Sequence, residues 1–206
     1  MSVSVPQRIG MLGGAFDPPH CAHRALAEAA LDQLQLDRLH IMPTGHAWHK
    51  SRALSPAAHR IAMCQAAFGD LDRVVIDTRE TERPGPTYTA DTLQALAQQY
   101  PDARLYVVLG ADQLRAFHTW RHWQAVLQQA TLAVARRPMD GTDTDLDTLG
   151  IPFQPIDMPL HRLSSTDIRA RWHPLHARSG HSTLDALVPV GVARYISQHH
   201  LYETST

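Results

Sequence analysis

A glycine-rich turn followed by two histidines is the strongest chemical signal in the chain. Residues 13–23 read GGAFDPPHCAH and join an apolar run to an Ala/Leu-rich stretch. Gly13 and Gly14 carry no side chains, so their backbone N–H groups can approach a phosphate closely. His20 and His23 would share one face of the first helical turn, beside the positive end of the helix dipole. These residues predict a polyphosphate site in which each imidazole donates a hydrogen bond to a negative oxygen.

A second anion-binding pattern, RLSSTDIRAR, covers residues 162–171. One of the hydroxyl residues at 164–166 can cap a helix that begins near Asp167, which leaves donors available for an anion. Arg169, one turn into that helix, adds a guanidinium fork suited to phosphate oxygens. Two plainer interpretations stay open: an ordinary capped helix here, and a strand–turn–helix junction with incidental histidines at 13–23. A zinc site is a third, although no Cys/His/Glu pair at metal-ligand spacing completes it.

The elements that would position these motifs alternate along the chain. Apolar or β-branched runs, typical of strands, lie at 8–12, 38–42, 73–77, 104–109 and 131–135. Helical stretches lie at 21–34, 55–69, 89–99 and, as one broken or two short helices, 111–129. This alternation predicts an α/β fold, a doubly wound, Rossmann-like parallel sheet with helices on both faces.

The last part of the chain is predicted to extend this single domain of residues 1–206. Residues 139–154 lack apolar periodicity and predict a solvated loop. Helical patterns at 162–172 and 189–199 place a C-terminal helical extension at 161–206, which carries the second motif.

Composition excludes several functional classes. A net charge of -1 offers no basic field for nucleic acid or an anionic membrane. No apolar run approaches the ~20 residues of a membrane-spanning helix, and the first residues lack the apolar segment of a signal peptide, so a cytoplasmic location is expected. Two cysteines without CxxC spacing are too few for a disulfide framework.

Together the two motifs resemble the signatures of the HxGH nucleotidyltransferase superfamily, GG(S/T)FDPxHxGH and (I)SSTxIR. The segments between them are similar, in the same order, to stretches of the bacterial nicotinate-nucleotide adenylyltransferases. These segments are IMPTGHAWHK, DTRETERPGPTYTADTL, VLGADQLRAFHTW and LAVARRP. The resemblance covers nearly the whole chain. It implies an enzyme of NAD biosynthesis that joins nicotinate mononucleotide and ATP, giving nicotinate adenine dinucleotide and pyrophosphate.

The resemblance also implies a role for each matched position. The residues expected in catalysis are His20, His23 and Arg169. Those expected to bind ATP and its phosphates are Gly13, Gly14, Ala15, Phe16, Lys50, Gly110, Asp112, Arg137, Ser164 and Thr166. Those expected at the nicotinate nucleotide are Thr87, Tyr88, Thr89, Trp120 and Arg121. Mg²⁺ is expected to arrive with ATP, held mostly by phosphates and water, and no protein metal ligand is assigned.

Three positions depart from the family pattern. Ala15 stands where Ser or Thr is usual, Ala22 replaces the glycine of HxGH, and Leu163 replaces an isoleucine. The extra methyl of Ala22 is tolerable where φ is negative and costly otherwise. Lys50, the chain's one lysine, is either a phosphate ligand or a solvated loop charge.

Other functions stay open at this point. A related transferase that acts on nicotinamide mononucleotide or phosphopantetheine would share the phosphate motifs. The segments that contain residues 87–89 and 120–121, expected at the nicotinate nucleotide, argue against phosphopantetheine. A catalytically weak nucleotide-binding sensor is a further alternative that the departures permit. The expected partners are the two small-molecule substrates, ATP and nicotinate mononucleotide, with no nucleic acid or membrane, for a monomer or small homo-oligomer.

Overall fold

The computed structural model of the chain describes residues 5–45, 54–136, 145–158, 163–172 and 187–203. Six strands form one sheet in the order β3-β2-β1-β4-β5-β6, and every neighbouring pair is parallel. Their bounds are β1 Arg8–Gly14, β2 Arg38–Pro43, β3 Val74–Ile76, β4 Arg104–Gly110, β5 Ala130–Arg136 and β6 Gln154–Asp157. The predicted α/β fold with a parallel sheet is confirmed, and this strand order is that of dinucleotide-binding Rossmann folds.

Helices connect the strands and flank the sheet. Their bounds are α1 Cys21–Gln33, α2 Ala57–Phe68, α3 Arg79–Glu82, α4 Thr89–Gln99, α5 Ala111–Arg115, α6 Trp123–Gln129, α7 Ser165–Arg171 and α8 Val190–Gln198. Single 3₁₀ turns lie at Phe117–Thr119 and Leu146–Leu149. Among the described residues, no helix is both long and apolar enough to cross a membrane.

Two apolar layers cover the two faces of the sheet. Side chains alternate along β1, so that Leu12 joins one layer whereas Ile9 and Met11 join the other. The first layer contains α1, α2 and α8, and the second contains α4, α5 and α6. Burial on both faces explains why the central strands read as continuous apolar runs.

Two regions differ from the sequence-based expectation. The predicted solvated loop at 139–154 is wrong from residue 145 onward, because Leu146 and Ile151 are buried and β6 starts at its end. The edge strand β6 was missed because it is four residues long and contributes one buried side chain, Ile156. The helix α3 was missed because its sequence, RETE, has no apolar periodicity.

The C-terminal helical part packs against the first half of the chain. Val192 and Ile196 of α8 lie in the same apolar layer as Met63 and Phe68 of α2. The backbone N–H of Cys21, the first residue of α1, donates to the carbonyl of Leu187. The end of the chain therefore lies close to the start of α1, where the first motif is found.

Candidate active site

The carboxyl ends of β1 and β4 lie side by side where the strand order reverses. The two strands pair up to Leu12 and Val108, and they end at Gly14 and Gly110. In open α/β sheets, ligands bind in the crevice at this switch point. The first motif continues directly from β1 into α1, so the topology places it at this crevice.

Phe16 shapes the turn between β1 and α1. Its backbone is left-handed, with a φ of 47°, which is uncommon for a residue with a Cβ. Its buried ring stands edge-on to the rings of His23 and Phe68, with centroid distances of 5.1 and 5.8 Å. A Cβ on Gly14 would lie 3.1 Å from the Phe16 ring, whereas one on Gly13 would meet nothing within 4 Å. The folded-back ring therefore crowds the position of a side chain at residue 14, which is a further reason for glycine there beside the predicted close approach to a phosphate.

His20 and His23 form a stacked pair at the start of α1. Their ring centroids are 3.6 Å apart, and His20 is the N-cap residue of the helix. The backbone N–H of His20 donates to Nδ1 of His23 at 3.2 Å, the capping-box arrangement. Because Nδ1 accepts this bond, the proton of a neutral His23 imidazole is on Nε2, where it is a hydrogen-bond donor. Folding thus fixes both the orientation and the tautomer of His23.

The carbonyl groups of the same turn are engaged from within the protein. The donor–acceptor pairs are Thr44 N–H to Gly14 O at 2.8 Å, Arg60 Nη1 to Ala15 O at 3.0 Å, Arg169 Nη1 to Asp17 O at 2.6 Å and Ser165 Oγ to Pro18 O at 2.9 Å. A carbonyl oxygen facing a polyphosphate would repel it. These bonds hold four carbonyls of the turn to protein donors, which suits the turn to an anion.

Two of those donors come from the second motif, so the motifs are in direct contact. Ser164 is the N-cap of α7, because its Oγ accepts from the N–H of Asp167 at 3.0 Å. The same hydroxyl donates to the Asp167 carboxylate at 2.8 Å. Arg169, besides its bond to the Asp17 carbonyl, donates to Thr166 Oγ1 at 3.1 Å. The structure therefore brings Thr166 and Arg169 to the turn of residues 14–23, which is called the histidine turn below.

Asp17 is a buried acid of the first motif that contacts distant parts of the chain. Its carboxylate accepts from the hydroxyl of Tyr202 at 2.6 Å and from the N–H of Ser55 at 3.2 Å. Burial, with the neighbouring Asp17 carboxylate, holds the pKa of the Tyr202 hydroxyl well above its usual range. Burial lowers the pKa of Arg60, and the negative charge of Asp17 opposes that shift. No sequence pattern indicated Arg60 or Tyr202, because they lie far from Asp17 along the chain.

The end of β4 carries Gly110 and Asp112. Gly110 is the N-cap of α5, and Asp112 lies in the first turn with an exposed side chain. A Cβ on Gly110 would be 2.7 Å from Oδ1 of Asp112, so glycine leaves room for this carboxylate. Asp112 is not the capping residue, and its second oxygen accepts from Gln113 at 2.9 Å.

Tyr88 and Arg121, from the predicted nicotinate side, meet each other. Tyr88 is the N-cap of α4, and the Arg121 guanidinium lies over its ring, 5.1 Å from the centroid. Trp120 is half-buried and packs on Phe117, with ring centroids 5.2 Å apart. Trp123, the first residue of α6, packs against the same phenylalanine.

A two-residue segment after β2 connects the histidine turn to the nicotinate side. The N–H of Thr44 donates to Gly14, the last residue of β1. The next residue, Gly45, is so close to α3 that a Cβ there would overlap the carbonyl of Glu80, and it would lie 3.3 Å from the Thr87 methyl. The two predicted halves of the site thus share one edge of the sheet.

Comparisons with known proteins give the family. A family model described as cytidylyltransferase-like matches residues 11–171. A probable nicotinate-nucleotide adenylyltransferase of Albidiferax ferrireducens is 49% identical over 203 residues, covering 97% of this chain and 100% of its own. One of the same name from Bordetella avium is 40% identical over 207 residues, covering 95% and 98%. The chain belongs to the nicotinate-nucleotide adenylyltransferase family.

Solved structures agree on the fold. A Plasmodium falciparum nicotinic acid mononucleotide adenylyltransferase complexed with NaAD superposes with a TM-score of 0.76 at 17% identity, covering 95% of this chain and 97% of that one. The same protein complexed with APC gives a TM-score of 0.77.

One departure from the family motif can be located in the structure. Ala22 lies inside α1, where helical φ values are negative, so its methyl meets the condition for being tolerated.

The donor set around the histidines suits phosphate oxygens. Imidazole, hydroxyl, guanidinium and backbone N–H groups converge there, and the carboxylate of Asp17 is occupied by Tyr202 and Ser55. Across the described ranges, no three His, Cys, Asp or Glu side chains are grouped to hold a metal ion. These residues fit Mg²⁺ that is carried by ATP phosphates and water. Lys50 and Arg137, two predicted phosphate ligands, lie outside the described residues.

Proposed function

We propose that this chain transfers the adenylyl group of ATP to the phosphate of nicotinate mononucleotide, in NAD biosynthesis. The observation that carries the proposal is the contact between the two motifs, which joins the stacked histidines to Arg169 at the switch point of the sheet. The names of the curated relatives support the same reaction. A cytoplasmic location and a monomer or small homo-oligomer stay predictions.

The chemistry requires positioning rather than a protein base. The mononucleotide phosphate is already ionised at neutral pH, and one of its oxygens forms a bond to the α-phosphorus of ATP. The bond between the α-phosphorus and the oxygen that bridges it to the β-phosphorus breaks, and the electron pair of this bond leaves with pyrophosphate. Catalysis then rests on holding two anions in line and stabilising charge on the α-phosphate and the leaving group.

Each part of the histidine turn has a defined task in this proposal. His23 donates its Nε2–H to an α-phosphate oxygen, and His20 lies beside it as a second donor. Thr166 and Arg169 bind the β- and γ-phosphates, while Ser164 contributes by capping α7. Mg²⁺ carried with ATP would neutralise part of the triphosphate charge. Gly110 and Asp112, at the end of β4, lie on the side assigned to the nucleotide riboses.

The nicotinate nucleotide is placed on the other side of the site. The backbone N–H groups of the segment 87–89 receive the carboxylate, and Trp120 stacks on the pyridine ring. Arg121, held over the Tyr88 ring, supplies a positive charge near that carboxylate.

The proposal is tested by measuring pyrophosphate release from ATP with three acceptors side by side: nicotinate mononucleotide, nicotinamide mononucleotide and phosphopantetheine. The acid is expected to be preferred over the amide by at least about tenfold in kcat/KM, because the amide NH₂ would confront backbone N–H donors at a cost of ~1–3 kcal/mol. Equal use of acid and amide would contradict the nicotinate assignment. Absence of release with any acceptor would leave a nucleotide-binding sensor as the function.

A further inference from the structure

Glu80 is a buried acid that neither motif contains. It lies in the four-residue helix α3, and its residue is 6% exposed. Carboxylates are rarely buried unless they are paired or hydrogen-bonded, because burial disfavours the charged form. Burial raises the pKa of the Glu80 carboxyl, while the hydrogen bond from the Thr92 hydroxyl acts in the opposite direction. A costly group kept at this position requires a structural or functional reason.

The contacts of Glu80 all lead to the nicotinate side of the site. Thr92 Oγ1 donates to Oε1 of Glu80 at 2.8 Å, and Thr92 is completely buried in the first turn of α4. The backbone carbonyl of Glu80 and the methyl of Thr87, which precedes the N-cap residue of α4, both lie beside Gly45. Glu80 is therefore hydrogen-bonded to the first turn of α4, and its backbone lies beside the residue that leads into that turn.

The backbone of Glu80 is fixed as tightly as its side chain. Its carbonyl packs against Gly45 so closely that no other residue type fits there without a shift. Gly45 also lies against Thr87 and follows Thr44, whose N–H bonds to the end of β1. Glu80 thus rests on the same segment that supports the histidine turn.

The other end of α4 is held independently of Glu80. Arg79 donates to both carboxylate oxygens of Asp77, at 2.8 and 2.9 Å, and to Gln99 at 2.8 Å. Tyr100, the C-cap residue of α4, accepts from Gln99 at 3.2 Å. Loss of the Glu80 carboxyl should therefore loosen the amino end of α4 and leave its carboxyl end in place.

We propose that Glu80 is a positioning residue that holds the start of α4 in the conformation required to bind the nicotinate nucleotide. The inference rests on the proposed function, because it takes residues 87–89 as the carboxylate-binding segment. Glu80 itself touches neither substrate. It acts through Thr92, in the first turn of α4, by aligning the backbone N–H groups of residues 87–89 before the nucleotide arrives. The ATP side should be spared in a side-chain variant, because the Glu80 carbonyl that packs on Gly45, beside the support of the histidine turn, belongs to the backbone and stays in place.

The test measures the affinity for each substrate separately in purified full-length variants. Calorimetric titration gives the Kd for nicotinate mononucleotide and for a non-hydrolysable ATP analogue, and steady-state assays give both KM values and kcat. Glu80→Ala should weaken the binding of nicotinate mononucleotide at least about tenfold, because the buried hydroxyl of Thr92 loses its acceptor and the segment loses its alignment. The Kd for the ATP analogue and kcat should stay within about threefold of the native values.

Matched variants separate positioning from general stability. Glu80→Gln keeps an oxygen acceptor for Thr92 and should restore the affinity to within about threefold of native. Thr92→Val should weaken nicotinate mononucleotide selectively, by about threefold or more. Glu82→Ala is the control, since Glu82 lies in the same short helix and accepts from Thr78 at 2.6 Å, but it is exposed. This control should leave both affinities unchanged.

Specific outcomes would overturn the inference. Unchanged affinity for nicotinate mononucleotide in Glu80→Ala would do so, as would equal weakening of both substrates, which indicates a general structural role. If Glu80→Ala does not fold, Thr92→Val decides: a selective loss supports the inference, and unchanged affinity contradicts it. A native chain that releases no pyrophosphate from ATP and nicotinate mononucleotide would instead contradict the proposed function.

Discussion

Replacement of His23 by alanine is the sharpest test of the catalytic arrangement. The change removes the Nε2–H donor that is proposed to contact the α-phosphate. It also removes the Nδ1 acceptor for the His20 N–H and the ring that stacks on His20 at 3.6 Å. One effect is chemical and the other two are structural, so their magnitudes have to be separated.

The effect on kcat and the effect on folding stability can be measured separately. Loss of one preorganised donor to transition-state charge lowers kcat by about 10²–10³, or roughly 2.7–4 kcal/mol. Loss of a helix-capping interaction costs about 0.5–2 kcal/mol of folding free energy. For a chain of this size that lowers Tm by only a few degrees, at about 2–4 °C per kcal/mol. We therefore expect a folded His23→Ala protein with a large kcat defect, measured by pyrophosphate release well below its Tm.

A His23→Gln variant provides the control. Glutamine at the third helical position accepts from the N-cap N–H in a capping box, so the stability of the native protein should be retained. Its amide can also donate, but from a different position, so kcat should lie between those of the native and alanine proteins. Turnover of His23→Ala close to native would refute the assignment of His23 to the transition state.

Three further predictions concern other parts of the site. Arg169→Ala should weaken binding of the ATP analogue and leave the Kd for nicotinate mononucleotide nearly unchanged; calorimetry showing the reverse would contradict the placement of the second motif. Trp120→Ala should lower kcat/KM equally for the acid and amide mononucleotides, since stacking does not distinguish them, whereas Arg121→Ala should erode the preference for the acid; an unaltered preference would remove the guanidinium from carboxylate recognition. Tyr202→Phe deletes a hydrogen bond to the buried Asp17 carboxylate and should lower the free energy of unfolding by about 1.5–3 kcal/mol in urea titrations, the range for bonds to charged groups; unchanged stability would show that this bond is unimportant.

Local sequence patterns were sufficient to predict the strands and helices that bury a regular set of apolar side chains. The strands β1 and β4 are flanked by strands and covered on both faces, so each reads as an unbroken apolar run. The short helix α3 and the edge strand β6 bury too few side chains to give a periodic signal. Their positions depend on contacts with the rest of the fold, which no local window contains.

Some residues of the candidate site could be predicted from local sequence patterns and others could not. The histidines, Arg169 and the glycines were visible because they fall in two short motifs with recognisable spacing. Tyr202 and Glu80 were not, since each depends on partners that only folding brings near, such as Asp17 at a separation of 185 residues from Tyr202. The phosphate role of Gly14 stays a prediction; the closeness of the Phe16 ring to this glycine could not be predicted, because the ring folds back only in the three-dimensional structure.

The contact between the two motifs gives the second motif a task before any nucleotide binds. Ser165 and Arg169 donate to the carbonyls of Pro18 and Asp17, so α7 completes the turn that presents His20 and His23. Without these donors, buried carbonyls would lose partners and the turn could relax toward the phosphates, where a carbonyl oxygen repels an anion. A guanidinium is suited to this double task, because its fork can bond a carbonyl on one side while its positive charge attracts phosphate on the other. We therefore propose that Arg169 both binds the triphosphate and holds the turn that aligns the histidines, although the two motifs lie far apart in the chain.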